Sequence, residues 1–393
     1  MALTLRAGAP EEVGMSPSRI REIAALAQSW TGEGNAQTVA VLVARRGVVI
    51  LHGAFGRLTP SAEAPPTPLD GIFDLFSITK LLTATAIMIL VEEGRVGLNR
   101  PVASYVPEFR GPGKEDVLVR HLLTHTSGLE EEQVDAYAQE SVGKIPIPPC
   151  GPLTHPLLNE YIQLRCGAPL ARPPGAEMSY FGFGFELLAE IIRRRTGRAL
   201  DAFAEERIFK PLGMNDTHYC RIDAAPDRLV RSPRLPVRKL VPFFSAAETD
   251  RLSMGALQAV STVTDIAIFG QCFLNGGAYG GSRILSPATV RAMTRNQIRG
   301  IGAREGDEVF PEASWGLGWS IHGSKAGQCG GLYSEESFEH WAGGQSYLWI
   351  DPARDLVGVY FSAYPSLPTL DEYAKHRNSD LFSDAVTAAI VDS

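Results

Sequence analysis

The sequence predicts a two-lobed α/β protein of the α+β kind: an antiparallel sheet flanked by helices, with a mainly helical lobe inserted into it. Three observations predict this. A helix and a β-hairpin open the chain, two strands and a helix close it, and a stretch of different composition lies between. In "SPSRIREIAALAQSW" a serine precedes Pro17, and Ile20, Ile23, Ala24 and Ala27 recur at helical spacing. "TVAVLVARRGVVILHGAFG" is a pair of β-branched runs around Arg45-Arg46-Gly47, a hairpin. From roughly Pro101 to Asp250, helix signals such as "GFELLAEIIRRRTG" and "DAFAEERIF" alternate with the Pro/Gly-rich loops "GKIPIPPCGP" and "GAPLARPPGAE". "SMGALQAVSTVTDIAIFGQCFLNGG" then gives a helix capped at Thr264, running to about Asn275 and stopped by Gly-Gly. "SYLWIDPARDLVGVYFSAY" is strand, Asp-Pro turn, strand, and "DLFSDAVTAAIVDS" is a closing helix. Residues 1–75 and 251–393 are accordingly assigned to the sheet domain and 76–250 to the helical lobe, with the functional cleft between them.

Composition narrows the function classes. With 393 residues, 45% of them hydrophobic and 21% charged, the chain can bury a large core, which excludes disorder, collagen and coiled coil as whole-chain readings. The formal charge is −7, and the basic patches Arg193-Arg194-Arg195 and Arg228 to Lys239 are broken by apolar residues and proline, so no nucleic-acid partner is expected. The longest apolar stretch, Ala84 to Val91, is too short to span a bilayer, and "MALTLRAGAPEEVGMSPSRI" lacks the apolar core of an export signal; a cytoplasmic location is expected. Cys150, Cys166, Cys220, Cys272 and Cys329 lie far apart without a C-x-x-C, which points to free buried thiols rather than disulfides or zinc. No internal repeat stands out, and nothing in the sequence speaks to oligomeric state.

The chemistry centres on "FSITKLLTATAIMILVEEG", Phe76 to Gly94. Ser77 and Lys80, at i and i+3, share a face of a helix and come within hydrogen-bond reach. A serine hydroxyl is a poor nucleophile until a base takes its proton, and a lysine whose pKa burial has lowered can be that base. A helix whose face Leu81, Leu82, Ala84, Ile87 and Leu90 would be buried also puts the Ser77 N–H at a helix N-terminus, where it can hold an oxyanion. The same spacing also fits a capping serine with a snorkelling lysine. A second S-x-x-K, Ser141 to Lys144 in "AQESVGKIPIPPC", is read as surface loop because Gly143 and the prolines oppose a helix.

Beyond the spacing, "FSITKLLTATAIMILVEEGRVGLNRPVASYVPEF", "LVRHLLTHTSGL", "PPGAEMSYFGFGFELLAEIIRRRTG", "KPLGMNDTHY", "STVTDIAIFGQCFLNGG" and "WAGGQSYLWIDP" resemble, in order, segments of the serine β-lactamase and penicillin-binding-protein superfamily. The resemblance is to its class C-like branch with the family VIII carboxylesterases. "PGAEMSY" and "THPLLNEYIQ" also look like the fungal acyltransferase that completes lovastatin. The resemblance implies a β-lactamase-like fold and places the tyrosine of a tyrosine-x-asparagine motif on Tyr180, whose phenol beside a lysine can relay the serine's proton. The asparagine position is Gly182, a departure that weakens lactam hydrolysis and leaves ester hydrolysis intact. No K-T-G occurs. The ungapped register puts the third motif on His340-Trp341-Ala342, with Gly343 supplying the second oxyanion N–H; one gap gives Trp341-Ala342-Gly343 and Gly344 instead. A neutral rim from His340 or Trp341 favours uncharged acyl groups.

Other patterns lead elsewhere. "HLLTH" sets His121 and His125 at i, i+4 but lacks the glutamate of a zinc helix and a third ligand, so helix-end packing is expected. "GGQSYL" around Ser346 is half a nucleophile elbow, and "GFGFEL" lacks the third glycine of a dinucleotide site. Trp315 and Trp319 read as core or cleft-wall aromatics. The expectation is therefore a serine carboxylesterase acting on a small-molecule ester through an acyl-enzyme, with Ser77, Lys80 and Tyr180 catalytic, Ser77, Gly343, His340 and Trp341 at the oxyanion and substrate, and no cofactor or metal. The alternatives are lactam or D-amino-acid peptide hydrolysis, acyl transfer to an acceptor other than water, and a catalytically dead binding protein.

Overall fold

The computed structural model describes residues 3–32, 36–151, 153–231, 246–305, 308–325, 330–342, 345–364 and 378–392. Its centre is a seven-stranded sheet of β1 Arg6–Ala7, β2 Thr38–Arg45, β3 Val48–Gly56, β4 Ser320–Ile321, β5 Phe338–Ala342, β6 Ser346–Asp351 and β7 Leu356–Ala363, in the order β1-β3-β2-β7-β6-β5-β4. Every pair is antiparallel except β1 with β3. The two ends of the chain meet where β2 lies along β7, from Arg45 opposite Leu356 to Thr38 opposite Ala363.

The local reasons are visible in the residues. The β2–β3 turn needs two left-handed residues, met by Arg46 (φ 51°) and Gly47 (φ 77°). β2 is buried along its whole length because helices cover both faces of the sheet. Its Ala40, Leu42 and Ala44 enter the main core, and Val39, Val41 and Val43 enter a second core. That second core holds Ile20, Ile23 and Trp30 of helix α1 (Pro17–Gly32) and Phe382 and Val386 of the C-terminal helix.

The remaining helices that matter for the site are α2 Thr79–Glu92, α3 Glu131–Ser141, α4 Phe183–Thr196, α5 Val263–Leu274 and the C-terminal α6 Ser379–Ala388. α5 packs on β7, β2 and β6, and Gly270 permits the approach, since a β-carbon there would stand 2.8 Å from Val357 Cγ1. Its cap is Thr262, whose side chain accepts from the Asp265 N–H at 3.1 Å. This corrects the sequence expectation of Thr264, which lies inside the first turn; Thr262 is the last extended residue, and only there does a hydroxyl reach a free N–H. α2 differs as well. It is buried from Thr79 to Leu90 on all sides rather than on one face, because its remaining positions include Ala86, Met88 and Ile89 and threonines whose hydroxyls are paired: Thr83 donates to the Gly255 carbonyl at 2.7 Å and Thr85 to the Leu81 carbonyl at 2.8 Å.

The main core runs without a break from the inner face of the sheet, through α5 and α2, to α4 and the Phe203, Ile208 and Phe209 side chains. Cys166, Cys220 and Cys272 are buried free thiols and Cys150 is a half-buried one; Cys329 lies outside the described residues. Among the described residues no helix is long and apolar enough to cross a membrane.

Gly358 of β7 faces Trp349 of β6 in register, and a β-carbon there would run into the indole ring. Gly358→Ala is therefore expected to destabilise the protein by about 2 kcal/mol, read as a lower urea midpoint with an unchanged slope.

Candidate active site

The candidate nucleophile is aimed by a strained turn. The short strand Phe73–Asp74 pairs with Val260–Ser261, and the Leu75 N–H donates to the Ala259 carbonyl at 2.8 Å. Phe76 then takes a left-handed φ of 46°, rare for a bulky residue, and one 3₁₀ turn, Phe76–Ile78, carries Ser77 into α2. Lys80, one turn on, donates from Nζ to Ser77 Oγ at 2.9 Å and to the Ala256 carbonyl at 3.2 Å. Its side chain is 1% exposed. Burial pulls its pKa down to about 8, against the smaller upward pull of the Glu131 and Glu186 carboxylates.

Those two acids have different duties. Glu186, fully buried on α4, accepts from the Gly255 N–H at 2.9 Å and the Ala256 N–H at 3.0 Å, and burial raises it to about 7. It clamps the segment whose Ala256 carbonyl receives Lys80. The same segment is held by Thr83 on the Gly255 carbonyl and by Thr79, which accepts from the Ala259 N–H at 3.1 Å. Glu131 opens α3 and accepts from the Gly182 N–H at 3.2 Å; desolvation raises its pKa as well.

Tyr180 stands over this pair, with Lys80 Nζ 4.9 Å from its ring centroid and 41% of its surface open. Its neighbours make a wall of rings: His125 at 4.4 Å, Trp315 at 5.9 Å and His340 at 6.2 Å between centroids. His125, itself at a left-handed φ of 56°, accepts at Nδ1 from the Phe181 N–H at 3.2 Å, so its proton sits on Nε2. His340 donates from Nδ1 to the Trp341 carbonyl at 3.1 Å, leaving a lone pair on Nε2. Both Nε2 atoms are buried and without a partner among the described residues. Burial and the Lys80 charge hold His125 well below its ordinary range and push His340 down to about 3, so both rings are neutral at physiological pH.

The structure thus brings Ser77, Lys80, Tyr180 and His340 together. Trp341 is a correction: strand alternation turns it to the opposite face of β5, where it packs on the second core, so of the strand motif's side chains His340 faces the site. Gly343 and Gly344 lie outside the described residues. Ser141 is the buried last residue of α3, and Lys144 is exposed in the following turn. Ser346 donates to the Asp74 carbonyl at 2.9 Å, tying β6 to the strand before Ser77. Trp319 is core, stacked among Phe269, Phe273 and Phe338, whereas Trp315 lines the cleft. His121 accepts from the Leu118 N–H at 3.2 Å. Among the described residues no cluster of His, Cys, Asp and Glu is arranged to hold a metal. Sequence reasoning missed His125, Glu131 and Glu186. An acid set inside "FGFELLAEII" was a usable signal for Glu186, since such an acid must be buried and partnered.

The β-lactamase family model matches residues 20–381. The chain belongs to the β-lactamase family. Its members here are serine hydrolases of the β-lactamase and penicillin-binding-protein type, and a mixed α/β fold with a mostly antiparallel central sheet agrees with that. A curated relative from Salmonella agona (strain SL483), named "Putative D-alanyl-D-alanine carboxypeptidase", is 25% identical over 399 residues, covering 93% of this chain and 87% of its own. The fold is shared with a penicillin-binding protein homologue from Caulobacter crescentus, with TM-score 0.73, 24% identity, and 96% and 99% of the two chains covered. It is also shared with a family VIII carboxylesterase, with TM-score 0.67, 22% identity, and 92% and 96% covered.

In this β-lactamase-family chain the Glu186 clamp makes a direct prediction. Glu186→Ala strands two buried N–H groups and is expected to cost about 3 kcal/mol in urea unfolding, whereas Glu186→Gln, which keeps one acceptor, is expected to cost less than half of that.

Proposed function

We propose that the protein is a carboxylesterase working through a serine acyl-enzyme. The observation that carries this is the 2.9 Å hydrogen bond from a fully buried Lys80 to Ser77, with the lysine held near a pKa of 8. Ser77 Oγ attacks the ester carbonyl carbon as its proton passes to neutral Lys80. Tyr180, over the ammonium, delivers a proton to the departing alkoxide as the C–O bond breaks, leaving acyl-Ser77 and the alcohol. Water then attacks the acyl carbon and gives a proton to the same groups, which return one to Ser77 Oγ as the acyl C–Oγ bond breaks and the acid leaves. The Ser77 N–H is one oxyanion donor, and the second is assigned to Gly343.

Ester over lactam or peptide rests on charge. β-Lactams and C-terminal peptides carry a carboxylate that needs a cation across the cleft, and His340 is a neutral ring where a strand lysine would meet it. The other lysine of that wall, Lys325, lies 5.8 Å over the Trp315 ring and is taken up by the Ala313 and Ser314 carbonyls and the Ser320 hydroxyl. Glu131 adds negative charge beside Lys80 and further disfavours an anionic acyl group.

Two measurements test this. Wild type is expected to turn over p-nitrophenyl acetate and butyrate faster than a chromogenic cephalosporin, and Ser77→Ala to lose at least about a thousandfold in kcat/KM. Equal ester turnover by both proteins sinks the mechanism, and faster cephalosporin hydrolysis replaces it with the lactamase reading. The second is a pH profile. Lys80 is competent as a base only when neutral, so kcat/KM is expected to climb with pH and level off above about 8. Lys80→Arg, which stays protonated, removes that limb along with most of the activity; a flat wild-type profile from about pH 6 to 9 contradicts Lys80 as the base.

A further inference from the structure

Glu131 has an acceptor that the machinery described so far leaves unused. Its Oε2 takes the Gly182 N–H, and no other hydrogen bond to the carboxylate occurs among the described residues. Glu186, by contrast, has given both oxygens to the Gly255 and Ala256 N–H groups. Gly182 has no side chain to cover the acid: a β-carbon there would stand 3.3 Å from Glu131 Oε1 and 3.8 Å from Ala256 Cβ. Ala256 is in turn the residue whose carbonyl holds Lys80, 2.9 Å from the Ser77 hydroxyl. Glu131 thus holds the Gly182 N–H two residues after Tyr180, whose ring centroid lies 4.9 Å from Lys80 Nζ. Neither Glu131 nor Gly182 is sealed from solvent.

A carboxylate can only accept, so its ligand must bring N–H or O–H donors. Charge selects among donors. When Lys80 gives up its proton to act as a base, Glu131 and Glu186 lose the cation in contact with the serine, and Arg165, the other cation acting on both, is committed to Asp135 at 2.9 Å. A cationic donor placed beside the reacting carbonyl restores the balance, and an anionic one is repelled.

Building on the serine-esterase reading above, we propose that Glu131, standing over the bare backbone of Gly182, is a specificity-determining residue that receives an ammonium group on the acyl side of the substrate, so that the preferred substrates are esters of amino acids.

The test compares two acyl groups of nearly equal shape, the p-nitrophenyl esters of glycine and of propionic acid, at about pH 6.5 where an α-amino group is protonated. The quantity read is the ratio of their kcat/KM values within one protein, in which the amount of folded enzyme cancels. On going from wild type to Glu131→Gln, the glycine-to-propionate ratio is expected to fall about tenfold, because the isosteric amide keeps the shape and loses the charge. An unchanged ratio overturns the assignment, including the case where both esters slow equally, which would mean that Glu131 acts only through Lys80. Ser77→Ala separates the two readings: if it abolishes turnover of both esters while the Glu131→Gln ratio stays fixed, the esterase mechanism stands and the ammonium site falls. If Ser77→Ala leaves both turnovers intact, the mechanism itself falls and this inference with it.

Discussion

The structure turns on the burial of one ammonium group. Lys80 sits 1% exposed in the first turn of α2, a position where an unpaired charge costs several kcal/mol. Everything around it answers that cost. Ser77 and the Ala256 carbonyl take two of its three protons, and the carboxylates of Glu131 and Glu186, on different helices, lower the potential around it. The compensation is incomplete, and the residue of it is the chemistry. A perfectly paired lysine would keep its ordinary pKa, whereas this one, held near 8 and hydrogen-bonded to Ser77, has what the proposed base requires.

Holding that balance requires rigid surroundings, which explains details otherwise hard to place. Gly255 cannot carry a side chain, because the Phe185 carbonyl stands where its β-carbon would go; that contact and the Glu186 clamp leave Ala256 one position. Phe76 keeps a left-handed backbone just before the serine, strain of order 1–3 kcal/mol that only an over-determined setting retains. Ser346 supplies part of that setting by anchoring Asp74 to the sheet. The histidines belong to the same logic: neutral rings fill the wall beside Tyr180 without adding a charge that would push the lysine's pKa down further.

How much of this could be read from the residues depends on how local each signal is. The two hairpins, and hence the sheet built from both ends of the chain, were legible because alternation, β-branching and the Arg46-Gly47 turn are short-range. Ser77 and Lys80 were legible as a spacing, but the same spacing at Ser141 and Lys144 shows that only context chooses between them. Tyr180 rested on resemblance, since nothing in "MSYFGF" itself sets a phenol beside an ammonium 100 residues earlier. Trp341 failed for a physical reason: strand parity decides which side chain faces the cleft, and a one-residue change of register reverses it. Glu131 was hidden in a run of three glutamates that reads as a solvated helix start, because its hydrogen-bond partner, the Gly182 N–H, lies 51 residues away.

That last pair shows how the absence of a side chain bears on the acid beside it. Read alone, Gly182 is a loss, one recognition group fewer in the cleft. Read with Glu131, it leaves room for a carboxylate on its own N–H, since a β-carbon there would stand 3.3 Å from Oε1 and the acid would have to shift slightly. A half-buried acid with one unused acceptor lowers stability, because it is partly desolvated for a single backbone hydrogen bond, and that desolvation raises its pKa. The feature that sets Glu131 apart is its charge, which raises the Lys80 pKa against the pull of burial and, in the proposed mechanism, bears on the acyl group carried by Ser77.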